Sequence, residues 1–115
     1  MARLRVATCQ FAVSGDLAAN AAAIRSLMRR AAGQGARIAH FGETCLSGYG
    51  GVEVPSFRGY DWGAHRGELT RIAALAAELR LWTVVGSSHP LTLSASQLTA
   101  TTSRPKTRTI PCTRE

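Results

Sequence analysis

Every glycine and every aromatic residue of this 115-residue chain lies before Pro90, together with forty-five of its fifty-two apolar residues. A core can therefore be built only from residues 1–90. A unit of that size holds one modest core and is small for an enzyme pocket with its supporting layers. Residues 91–115, LTLSASQLTATTSRPKTRTIPCTRE, carry ten Ser or Thr, two Pro, four basic residues and no aromatic. That composition cannot bury enough surface to offset chain entropy. The segment is expected to be poorly ordered, although the alternation in LTLSASQL could add a short edge strand.

Within residues 1–90 the hydrophobic pattern changes period in a regular way. RLRVATCQF alternates Leu4, Val6 and Thr8 against Arg3, Arg5 and Ala7, as a strand does. Asp16 then offers an N-cap oxygen, and Leu17, Ala21, Ile24, Met28 and Ala31 recur at helical spacing until Gly33 and Gly35 close the helix. ARIAHF, residues 36–41, reads as a second strand. A Gly-rich, aromatic-containing stretch from Tyr49 to Gly67 follows, then a helix through Leu69, Ile72, Ala73, Ala76 and Leu79, then the strand LWTVVGSS. The order β-α-β-α-β calls for crossover connections and a sheet with helices packed on a face. Val6, Ile24, Ile38, Leu75, Val84 and Val85 are the expected core.

Charge and cysteine usage exclude several classes. The net charge of +7 divides into +4 over residues 1–90 and +3 over residues 91–115, so no single patch concentrates it, and nucleic acid is not an expected partner of the folded part. No apolar run is long enough to span a bilayer, and the N-terminus lacks the continuous apolar block of a secretion signal. The chain reads as cytoplasmic, with no membrane association. Cys9, Cys45 and Cys112 are odd in number and have no metal-ligand spacing, so neither a disulfide framework nor a zinc site is expected, and no cofactor or metal is called for.

The residue in need of an explanation is Glu43. In FGETCLSGYG, residues 41–50, a single acid stands just past an apolar strand and ahead of a glycine-containing turn. Open α/β sheets place their ligand crevice beyond the carboxyl ends of strands. Taken alone, a loop acid is more often a solvated carboxylate, a turn cap or the partner of a surface arginine. His40 and His89 border strand ends and read as hydrogen-bonded structural histidines, because no second ligand lies at useful spacing. Phe57, Tyr60 and Trp62 read as cover for the core or as an oligomer contact. Arg25, Arg29 and Arg30 read as a solvated helix face near a helix C-terminus.

Four stretches in order, VATCQF, AAGQGA, IAHFGETCLSGY and VVGSSHP, resemble the N-terminal part of the nitrilase superfamily, the carbon-nitrogen hydrolases. The likeness covers about residues 3 to 90, with Gly42 where the family usually has a proline. It implies an incomplete α-β-β-α sandwich, and a reaction in which a Cys thiolate attacks a nitrile or amide carbon, a Glu acts as general base, and a Lys stabilises the developing charge. On that resemblance Glu43 is the base, which needs partial desolvation for the role. Tyr49 is a substrate-binding residue on the same resemblance and, with Gly48, shapes the turn that fixes Glu43.

The remaining two roles are not carried over. Lys106, in SRPKTRT, has no apolar neighbours to hold it on a sheet, and Cys112 stands too near both Lys106 and the C-terminus. Cys45 would share a face with Glu43 in an extended segment, but a buried, space-filling thiol is the commoner state. The expectation is an amidase-type or nitrilase-type fragment that is inactive alone. Its substrate class is a small amide or nitrile, it is a candidate homo-oligomer, and residues 91–115 are divergent, truncated or read out of frame. The competing expectation is a non-catalytic interaction module whose basic tail binds nucleic acid or an acidic partner.

Overall fold

A computed structural model describes residues 2–90 of the protein. The expectations for the segment from Leu91 onward, including Lys106 and Cys112, lie outside the described residues. Five elements follow one another: β1 (Val6–Cys9), α1 (Leu17–Gly33), β2 (Ile38–Phe41), α2 (Trp62–Leu79) and β3 (Trp82–Val84). The three strands form one parallel sheet in the spatial order β1-β2-β3, with Val6 beside Ile38 beside Trp82, and Thr8 beside His40 beside Val84. Two successive crossovers of the usual right hand, both stepping in the same direction, put both helices on the same face of a sheet. The burial agrees. Ile24, Met28, Ile72 and Leu75 from the helices share a core with Cys9, Ala39, Phe41 and Val85 from the sheet and its exit.

Local chemistry sets the helix ends. Asp16 accepts a hydrogen bond from Ala19 N at 3.1 Å and so satisfies one of the free donors of the first turn of α1. At the other end Gly35 takes φ 79°, Gly35 N donates to Ala32 O at 2.9 Å, and Ala36 N donates to Ala31 O at 3.0 Å. That pair of bonds is a Schellman closure, and it reverses the chain into β2. α2 starts earlier than the periodicity predicts, at Trp62 instead of near Leu69. Asp61 caps it by accepting from Ala64 N at 2.9 Å, and the helix continues through Gly63 and Gly67. Each glycine costs on the order of 1 kcal/mol against alanine. Tertiary contacts offset that cost, because this first stretch carries the buried His65 and the aromatic group around it.

The strand alternation is real, but the covered face is the opposite of the expected one. Val6 is 52% exposed, and Leu4 and Trp82 are 63% and 62% exposed, while Ile38 and Val84 are half-buried. The helices cover the face of Ala7, Cys9, Ala39, Phe41 and Thr83 instead. Alternation distinguishes two faces without saying which one a helix will cover.

Arg25 also departs from the solvated role expected of it. It pairs with Glu68 of α2, which Arg71 also contacts at 3.0 Å, so the charge cluster ties α1 to α2. Arg29 and Arg30 are exposed. Among the described residues no helix is long and apolar enough to cross a membrane.

Candidate active site

Three segments meet beyond the carboxyl ends of the strands: Ser14 and Gly15 after β1, residues 42–54 after β2, and residues 86–88 after β3. The turn that carries Glu43 is held from both flanks. On one flank is Asn20, 1% exposed and projecting from the first turns of α1. Its side-chain nitrogen donates to Leu46 O at 3.0 Å and to Ser14 O at 2.7 Å, while its oxygen accepts from Ser14 N at 2.9 Å. One buried amide thus joins two loops and a helix, with three bonds of good length.

On the other flank the exit of β3 lies directly on the turn. A methyl group at Gly86 would stand 2.4 Å from Gly42 O, 2.6 Å from Thr44 N and 2.7 Å from Glu43 Cα. Only a residue without Cβ permits that approach. Leu46 N donates to Gly86 O at 3.3 Å, the Cys45 thiol lies 3.7 Å from the same oxygen, and the hydroxyls of Ser47 and Ser88 are 3.0 Å apart.

Within the turn, Thr44 adopts φ 50°, a left-handed conformation that is unusual for a β-branched residue. Backbone of this kind persists where surrounding structure over-determines it, and it clusters at functional sites. A methyl group at Gly48, which sits at φ 83°, would stand 2.9 Å from Glu53 Cβ and 3.0 Å from Ser14 O, so there too a side chain has no room. Glu53 closes the far end of the loop by accepting from Tyr49 N at 2.7 Å.

This frame leaves the Glu43 side chain exposed, with Tyr49 Oη donating to its Oε1 at 3.1 Å. The structure therefore brings Glu43 and Tyr49 together, and the described residues do not enclose the carboxylate. Cys45 does not share a face with it. Residues 43–47 form a turn instead of an extended segment, so Glu43 is exposed while Cys45 is 3% exposed, packed in the core. Burial pushes the Cys45 thiol up to about 11, which leaves it protonated near neutral pH. Cys9 is also a free buried thiol, with its pKa raised by burial. Among the described residues no group of three or more His, Cys, Asp or Glu could hold a metal ion.

The histidine built into this region is neither His40 nor His89, both of which are exposed. It is His65, 2% exposed, with Tyr60 Oη at 2.8 Å from Nδ1 and Ser87 Oγ at 2.6 Å from Nε2. Burial, and then the charges of His89 and Arg66, lower its pKa to about 4. Phe57, Tyr60 and Trp62 pack on one another and, through Tyr60 and Trp62, on the imidazole. Sequence reasoning missed Asn20, His65 and Ser87. The available signals were a polar residue at a core position of the α1 stripe and a histidine following a capping Asp.

A parallel sheet with helices on one face, and with a carboxylate held by converging loops at the carboxyl ends of its strands, is the arrangement in which open α/β domains form a ligand crevice. The carbon-nitrogen hydrolase family matches residues 5–100, and the chain belongs to that family. The match runs past Pro90, where the resemblance read from the sequence stops, into the segment beginning at Leu91. No curated protein matches the chain.

Proposed function

We propose that Glu43 is the general-base carboxylate of a carbon-nitrogen hydrolase site acting on a short amide or nitrile, with Tyr49 beside it on the substrate side. The observation that supports this most is the effort spent on one exposed acid. A strained Thr44, a Gly86 with no room for Cβ and a buried Asn20 all hold a turn whose outward product is the Glu43 carboxylate. A solvated surface acid requires none of them.

In the reaction the carboxylate takes a proton from the attacking thiol, passes it to the substrate nitrogen and later takes one from the water that releases the acid, while a lysine ammonium stabilises the charge that develops on the substrate. Residues 2–90 contain no lysine, and the Cys45 thiol is buried and protonated. The described residues accordingly supply the base without its nucleophile or cation, and the chain is proposed to be inactive alone, since the sequence setting of Lys106 and Cys112 suits neither role. The uncovered sheet face supports the finer fold reading, an incomplete α-β-β-α sandwich in which that face meets a second sheet. It also favours association of the isolated unit through Leu4, Val6 and Trp82, and it is the observation that favours the second reading, a non-catalytic interaction module. Self-association by sedimentation that persists unchanged in Trp82→Ser would remove that support.

Ammonia release from a panel of short amides and nitriles, joined to NMR titration of the same compounds, tests the assignment. The expected result is no turnover, with resonance shifts at Glu43 and Tyr49 that weaken in Glu43→Gln. Absence of shifts at both residues, or turnover that is untouched by Glu43→Gln, overturns it.

A further inference from the structure

A count of hydroxyl protons gives the polar group behind Glu43 a direction. Ser87 Oγ lies 3.0 Å from Ser88 O, and a carbonyl can only accept, so the single Ser87 proton points there. Ser87 Oγ must then accept from His65, which places the imidazole proton on Nε2. Nδ1, left as an acceptor, takes the Tyr60 hydroxyl proton, and burial together with the Asp61 charge raises the Tyr60 pKa and keeps that proton in place. The Ser47 hydroxyl is 3.0 Å from both Gly48 O and Ser88 Oγ, so the pair Ser47–Ser88 links the segment 86–88 to the Glu43 turn. The bonds therefore run from Tyr60 through His65 and Ser87 to the segment 86–88, and the Ser47–Ser88 bond joins that segment to the Glu43 turn.

We propose that His65 is a positioning residue for Glu43. Through Ser87 it fixes the backbone of Gly86, which lies against Glu43 Cα and accepts from Leu46 N. The inference rests on the reading of Glu43 as the base, but the geometry it describes can be measured without turnover. The imidazole belongs to α2, the Gly86 carbonyl to the exit of β3 and the carboxylate to the turn after β2. No two of these are joined by local chain, and among the described residues His65 is the side chain that hydrogen-bonds α2 to Ser87. Its low pKa keeps it neutral, hence able both to accept from Tyr60 and to donate to Ser87, through the ordinary pH range.

The test is hydrogen exchange of the Leu46 amide in the full chain, because that amide bonds Gly86 O and reports the clamp directly. In His65→Phe, which keeps the ring volume and removes both bonds, Leu46 protection is expected to fall on the order of tenfold relative to the Ile24 and Met28 amides of α1. His65→Gln, whose side-chain N–H can still reach Ser87, is expected to restore most of it. If His65→Phe does not fold, Ser87→Ala carries the same expectation. Unchanged Leu46 protection overturns the proposal. So does a loss shared equally by Ile24 and Met28, which would mark a purely structural histidine. Glu43→Gln is expected to leave Leu46 protection intact, so failure of this inference and failure of the base assignment are read separately.

Discussion

Acidification is expected to destabilise this protein by forcing a proton onto His65. Burial, followed by the charges of His89 and Arg66, holds its pKa at about 4 against an ordinary 6.5. Between those values the unfolded chain binds a proton that the folded one refuses. Stability is therefore full above pH about 6.5, declines as pH falls through that window and levels off below about 4. At about 1.4 kcal/mol per pH unit the interval amounts to about 3 kcal/mol, a large part of the 5–15 kcal/mol typical of a folded domain. Urea unfolding followed by tryptophan fluorescence suits the measurement, since Trp62 packs on His65 with ring centroids 5.4 Å apart. The comparison is with His65→Gln, which changes no other ionisable side chain. Wild type is expected to lose about 3 kcal/mol more than the variant between pH about 7 and 4. Parallel stability curves for the two proteins would refute the argument, because they would mean that His65 takes up its proton equally well folded and unfolded.

Two further outcomes follow from the turn. Gly86→Ala puts a methyl group against three backbone atoms that have no rotamer by which to yield. It is expected to cost about 1–3 kcal/mol and to move the Glu43 amide resonance, and an unchanged melting temperature with an unmoved resonance would contradict the close approach. Thr44→Gly relieves the left-handed backbone at φ 50° and is expected to stabilise the fold by about 0.5–1 kcal/mol, after the added freedom of glycine in the unfolded chain is subtracted. A loss of stability in chemical denaturation would show that the Thr44 side chain contributes more than its conformation costs.

The features legible in the sequence are those decided by neighbours along the chain. Asp16 caps α1 because its oxygen needs only reach three residues ahead, and Gly35 ends the helix because only the local φ is at stake. Glu43 could be placed past a strand for the same reason, since the apolar run of β2 stops one residue before Gly42 begins the turn. The tertiary structure decided what depends on distant segments. Which face of β1 the helices cover, the Val6 side or the Ala7–Cys9 side, was decided only by packing against elements distant in the chain. The early start of α2 was hidden because Gly63 and Gly67 lower local helix propensity, while His65 and the aromatic rings that reward it belong to a tertiary cluster. The turn around Glu43 is set by Asn20, 26 residues before Leu46, and by Gly86, 41 residues after Cys45. A polar residue looks the same in sequence whether it faces solvent or a partner across the fold, because desolvation and hydrogen-bond geometry arise only when the loops after the three strands converge.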